Sequence, residues 1–149
     1  MKILLILSVL LAVATPKVYQ KCELARVLRG NGLDGFHRYS LANWVCLVQY
    51  ESNYNTNAIG RNRKHGVIVS SDYGIFQINS YWWCNDGQTL NTRNRCHKNC
   101  NDFLNSDITD DIECAKRVVR DPQGMYAWYG WQNNCANRDL SHFLDECHL

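Results

Sequence analysis

Two carboxylates are set apart by their neighbours. In "LVQYESNYN", Glu51 follows Val48 by three residues, Leu47 by four and Trp44 by seven. Those offsets put it on or beside the apolar stripe of a helix, near its C-terminus. Loss of water there disfavours the charged carboxylate, as does the negative end of the helix dipole, so both raise its pKa. A carboxyl kept protonated near neutral pH is what general-acid catalysis needs. On the segment alone, a frayed helix end with Glu51 in water is the commoner reading. The second candidate, Asp72 in "SSDYGIFQINS", lies among Ser70, Ser71, Gln77 and Asn79. Such polar neighbours can hydrogen-bond a carboxylate and keep it ionised, although an exposed aspartate on a polar strand reads the same way.

Aromatic residues follow in "SYWWCND", and again at Tyr126, Trp128 and Trp131. Consecutive tryptophans cannot all face one core. An exposed indole face would stack on a sugar ring; the alternative is that both Trp82 and Trp83 pack beneath the cysteine-rich loop. The basic cluster Arg61, Arg63, Lys64 and His65 reads as a solvated loop tip.

The elements that must position these groups are α+β in kind. Helical spacing covers Cys22–Arg29, with Gly30 expected to close the helix in the left-handed conformation. A second helix is expected from Leu41 to Glu51, with Ser40 as N-cap and Leu41, Trp44, Val45 and Val48 as its apolar stripe. Glycines at 60, 66 and 74 punctuate "VIV" and "IFQI", which predicts a small antiparallel sheet between Ala58 and Ser80. The stretch "CNDGQTLNTRNRCHKNC" reads as an irregular, bridged loop. In "DITDDIECAKRVVR", Ile108, Ile112, Ala115 and Val119 share a helical face, with acids first and bases last, as the dipole favours. Short helices are expected around Met125–Trp131 and Leu140–Leu144.

The chain has 149 residues, enough for one domain. "MKILLILSVLLAVA" has the lysine, the short apolar run and the small residues of a secretory leader, assigned to residues 1–16. The domain is then 17–149, exported, with no later membrane span. Its eight cysteines, an even number in an exported chain, imply four disulfides, with roughly a hundred possible pairings. A metal site at Cys96-His97-x-x-Cys100 is the competing reading, disfavoured in an oxidising compartment. Sixteen basic residues against fourteen acidic ones are too nearly balanced for a nucleic-acid binder.

"KCELARVLRGNGLDGFHRYSLANWVC", "YESNYNT", "SSDYGIFQINSYWWCNDG", "CAKRVVRDPQGMYAWYGW" and all eight cysteines together resemble the C-type lysozymes along the whole of residues 17–149. The resemblance implies a helical lobe and a small β lobe around a cleft. It also implies retaining hydrolysis of the β-1,4 bond between N-acetylmuramic acid and N-acetylglucosamine in bacterial peptidoglycan, by a monomer needing no cofactor. Glu51 would be the general acid and Asp72 the nucleophile or electrostatic stabiliser, roughly 5 Å apart across the sugar. Asn62, Gln77, Asn79, Trp82, Trp83, Asp121, Ala127 and Trp128 fall at substrate-contact positions. The implied disulfides are Cys22–Cys147, Cys46–Cys135, Cys84–Cys100 and Cys96–Cys114.

Three departures from the family pattern stand out. The stretch between Glu51 and Asp72 is a few residues longer than usual, Asn134 replaces an arginine that usually lines the cleft, and the net charge is low. "DFLNSDITDDIECAK" also resembles the calcium loop of α-lactalbumins and some lysozymes. Side chains of Asn105, Asp110 and Asp111 would bind the ion with the carbonyls of Asp102 and Asp107. Asn105 stands where an aspartate is expected, which removes one negative charge. The same acids would also simply favour a helix N-terminus. On the same fold, an α-lactalbumin-like regulatory subunit and a non-catalytic sugar-binding relative are the alternatives to an enzyme, and both carboxylates of the pair argue against them.

Overall fold

The computed structural model describes residues 15–149; apart from Thr15 and Pro16, the expected leader lies outside the described residues. Lys17 is already tied to the body of the protein. Its backbone nitrogen donates to Thr56 Oγ1 at 2.7 Å, and its carbonyl accepts from the Thr56 N–H at 2.8 Å.

Four helices and a three-stranded sheet follow: α1 (Lys21–Gly30), α2 (Leu41–Ser52), β1 (Ile59–Lys64), β2 (Val67–Tyr73), β3 (Ile78–Asn79), α3 (Thr109–Val119) and α4 (Tyr129–Asn134). Helix α1 buries Leu24, Ala25 and Leu28. Gly30 is its last helical residue and not its left-handed stop. Asn31 puts both its Nδ2 and its backbone N–H on the Val27 carbonyl, at 2.8 and 3.1 Å, and the chain reverses at Gly32 with φ +82°. The left-handed glycine that ends the helix is therefore Gly32, whose N–H bonds the Arg29 carbonyl while the Leu33 N–H bonds that of Leu28.

Helix α2 starts where expected, with Ser40 Oγ accepting from the Asn43 N–H. It buries Leu41, Trp44, Val45, Cys46, Leu47 and Val48. Its end is anchored, because Ser52 Oγ donates to the Ile75 carbonyl at 2.7 Å and Asn53 turns the chain at φ +51°. Glu51 is therefore in the last ordered turn, not in a frayed end. On α3, Ile108, Ile112, Ala115 and Val119 are all buried.

The sheet is antiparallel in the order β1-β2-β3. Its register sets Gly60 and Asn79 on either side of Asp72, and Asn62 opposite Ser70. A register shift between Asn62 and Arg63 absorbs the odd residue of the long hairpin. The run "IFQI" does not form the strand expected of it. Gly74 and Gln77 both take positive φ, so Ile75 and Phe76 lie fully buried in a turn and only Ile78–Asn79 pairs. Of the late helices, Met125–Trp131 divides into a 3-10 turn (Gly124–Ala127) and α4. Leu140–Leu144 runs as turns, and the helical turn lies at Asp145–Cys147, beside the bridge to α1.

The bridges are Cys22–Cys147, Cys46–Cys135, Cys84–Cys100 and Cys96–Cys114, the set the resemblance implies. Cys96 and Cys100 therefore sit in different disulfides, which removes the thiolates from the alternative metal reading. The grouping of Cys22, Glu146 and Cys147 likewise spends both sulfurs on a disulfide.

Between β1 and β2 the connection is only His65-Gly66, both at positive φ (51° and 77°). That is the primed two-residue turn whose twist matches the strands. A Cβ on Gly66 would meet nothing within 4 Å, so only its backbone conformation resists substitution. Gly66→Ala should lower unfolding free energy by about 1 kcal/mol, read as a shift of the urea midpoint at constant slope.

Candidate active site

Helix α2 supplies one wall of a cleft and the sheet supplies the other. Glu51 and Asp72 line one cavity of about 1080 Å³, together with Asn62, Gln77, Asn79, Trp82, Trp83, Asp121, Ala127 and Trp128. That volume suits an extended ligand more than a single small molecule. The calcium-loop candidates lie outside this cavity.

The two carboxyls are held differently. Glu51 Oε1 accepts one hydrogen bond, from the Gly130 N–H of α4 at 2.8 Å. Gly130 has to be that close: a Cβ there would lie 2.8 Å from the same oxygen and 3.0 Å from the Tyr50 carbonyl. Burial raises the pKa of Glu51, and the charge of Asp72 raises it further, against the Gly130 bond. Asp72 is gripped on both oxygens. Asn79 Nδ2 donates to Oδ1 and Asn62 Nδ2 to Oδ2, both at 2.9 Å. Burial raises the pKa of Asp72 too, but these two amides oppose it. With twice the donors, and the lower starting pKa of an aspartate, Asp72 loses its proton first. Its negative charge then holds the proton on Glu51.

Gln77, at φ +49°, donates through Nε2 to the carbonyls of Ala58 and Gly74, both at 3.0 Å. Trp82 is 43 % exposed, whereas Trp83 is buried and shows the cleft only an edge while packing into the core. Trp128 is buried too, its Nε1 donating to the Phe76 carbonyl at 2.8 Å and its ring edge-on to Trp44. Asn134, at the arginine's place, turns back to donate to the Gly130 carbonyl.

Several contributors were not singled out from the residues. Ser70 Oγ accepts from both Asn62 and Asn79 at 3.1 Å, bracing the two amides that hold Asp72. Val67, Ile68 and Val69 pair as a strand but stay exposed along the cleft, where their β-forming run had suggested only a sheet. Gly130 sits 79 residues from Glu51, and no local pattern marks such a contact.

A cleft with aromatic walls and one carboxyl from each lobe is an arrangement that glycoside hydrolases use. A model of the C-type lysozyme/alpha-lactalbumin family matches residues 17–147. Lysozyme C-1 of Mus musculus is 56 % identical over 149 residues, covering 99 % of both chains. The milk isozyme of lysozyme C from Bos taurus is 55 % identical over the full length of both. A crystal structure of canine milk lysozyme in its apo-type superposes with a TM-score of 0.83 at 53 % identity, over 89 % of this chain and 100 % of that one. The chain belongs to the C-type lysozyme/alpha-lactalbumin family.

Because the Asp72 charge raises the Glu51 pKa, Asp72→Asn should lower it. Carboxyl carbon NMR titration reads the shift directly, and an unmoved Glu51 would show that the two groups are not coupled.

Proposed function

We propose that the protein is an exported bacteriolytic muramidase, which hydrolyses the β-1,4 bond between N-acetylmuramic acid and N-acetylglucosamine in peptidoglycan as a monomer. The observation that carries this reading is the pair of carboxyls with unequal donor sets on opposite walls of one cleft. Lysozymes are the type case for the mechanism. Glu51 gives its proton to the leaving glycosidic oxygen, and the anomeric carbon gains positive character. Asp72, as the anion, attacks that carbon or stabilises its charge. Glu51, now ionised, takes a proton from the water that completes hydrolysis with retention. Trp82 offers its exposed face to a sugar ring, and Asn62, Asn79 and Gln77 keep the strand wall polar. Catalysis on this scheme draws on no cofactor.

Export is supported by the amino-terminal leader and by milk proteins among the relatives. Among the described residues, no helix is long and apolar enough to cross a membrane. Low net charge predicts weaker attraction to anionic cell walls than in strongly basic members, and lysis that peaks at lower salt. Regulatory and purely sugar-binding readings are disfavoured by the retention of both carboxyls. Turbidity loss of a peptidoglycan suspension decides: wild type should lyse it, whereas Glu51→Gln and Asp72→Asn should each lose at least about a hundredfold. Undiminished lysis by both variants would overturn the roles, and an inert wild type would favour a binding protein.

A structural calcium ion belongs to the same reading. Asp111 is fully buried, and neither carboxylate oxygen has a hydrogen-bond partner. Burial, then the adjoining Asp110, pushes its pKa up to about 10. A carboxyl so buried either keeps its proton or takes a counter-charge, and beside Asp110 it fits a cation. The side chains of Asn105, Asp110 and Asp111 and the carbonyls of Asp102 and Asp107 would hold it. The ion supplies charge neutralisation in the fold. Metal-free protein given calcium at a hundred times its dissociation constant should gain about 2.7 kcal/mol, or roughly 10 °C in melting temperature. Asp111→Asn should abolish the gain, and a melt indifferent to calcium would remove the idea.

A further inference from the structure

At the Trp82 end of the cleft, Asp121 is not free to face a ligand alone. Arg95 Nη1 lies 3.2 Å from its Oδ2, and Arg117 Nη1 lies 2.8 Å from its Oδ1. Both carboxylate oxygens are thus taken by guanidinium groups. Two cations against one anion leave a positive excess. Arg117 sits 5.5 Å from the centre of the Trp83 ring and is not part of the cleft lining. Arg95 is part of it. Its guanidinium is 5.2 Å from the Trp82 ring centre and 5.9 Å from that of Trp83.

Arg95 is therefore anchored on three sides and open on the fourth. Its side chain is 41 % exposed, and its bond to Asp121 is the one side-chain hydrogen bond it makes among the described residues. The rest of its N–H fork is uncommitted. An arginine fork matches a carboxylate with two parallel hydrogen bonds, and its plane also stacks on indole. Neutral hydroxyl and acetamide groups give such a fork no charge to pair with. Peptidoglycan glycan does carry acids, on the carboxyls of its stem peptides and on lactyl ethers that bear no peptide.

We infer that Arg95 forms a carboxylate-binding site at the Trp82 end of the cleft, through which the protein prefers acid-bearing glycan over neutral N-acetylglucosamine oligomers. Asp121 and Arg117 then act as positioning residues, holding the fork against the indoles. The inference rests on the muramidase reading and specifies the chemical form of glycan that the cleft selects.

Binding is measured by tryptophan fluorescence in the Glu51→Gln background, so that no ligand is cleaved. Three ligands of equal length are compared: a neutral N-acetylglucosamine oligomer, a muramyl-peptide glycan with free acids, and that glycan with its acids amidated. The free acid should bind about tenfold more tightly than its amidated form, a preference that falls as salt rises. In Arg95→Ala, the ratio of acidic to neutral affinity should drop by the same factor. Amidation without effect, or an Arg95→Ala change that weakens all three ligands equally, would overturn the proposal. Failure of the muramidase reading would appear separately, as an inert wild type in the lysis assay, with these binding ratios still legible.

Discussion

Cys46 and Cys135 join α2 to the end of α4, and one face of α2 is gripped around that bridge. Asn43 Oδ1 accepts from Trp131 Nε1 at 3.0 Å, and Glu51 Oε1 accepts from the Gly130 N–H at 2.8 Å. Around α2, Asn43 lies between Cys46 and Glu51, three residues from one and eight from the other, so a broad face of the helix meets α4. A helix of only six residues has little stability alone; α4 is in place because α2 and the bridge hold it. The dependence runs both ways. Without α4 there is no wall to exclude water from Glu51, and the burial that raises its pKa would lapse. The tryptophans reinforce this junction, with Trp44 fully buried and edge-on to Tyr39, Phe76 and Trp128.

On the other wall, Asp72 occupies the middle strand, and its donors come from both neighbours, Asn62 of β1 and Asn79 of β3. This explains why a longer hairpin does not disturb it. The register shift between Asn62 and Arg63 lies on the far side of Asn62 from Asp72, so the pairing around Asp72 stays regular. Pairing from Ile59 to Asn62 keeps Gly60 opposite Asp72, where the lack of a side chain leaves room for the Gln77 amide.

Local chemistry was legible in the residues, and contacts distant in sequence were not. Ser40 before a helical stripe, acids opening α3 and bases closing it, and glycines between β-formers each act within a few residues. The apolar run at Ile75–Phe76 misled because a buried turn and a buried strand share one composition; the positive φ at Gly74 and Gln77 decides between them. Glu51 could be placed beside apolar neighbours by spacing alone. Its donor could not, since Gly130 is brought up only by tertiary packing. Arg95 escaped for the same reason: it lies in a polar loop, and only the Cys84–Cys100 and Cys96–Cys114 bridges set it against Asp121 and the indoles.

Three acids among the described residues have pKa values raised by burial, Asp111 fully buried and Glu51 and Asp72 partly so. What separates them is the number of donors each meets. Asp72 has two side-chain amides and is the easiest of the three to ionise. Glu51 has one backbone N–H and a like charge across the cleft, which keeps it protonated longer. Asp111 has none on either oxygen. It also lies beside Gly74, two residues beyond Asp72, where any Cβ would collide with the Phe103 carbonyl and stand 2.8 Å from Asp111 Oδ2. The turn that follows Asp72 therefore packs directly on the least compensated acid in the fold.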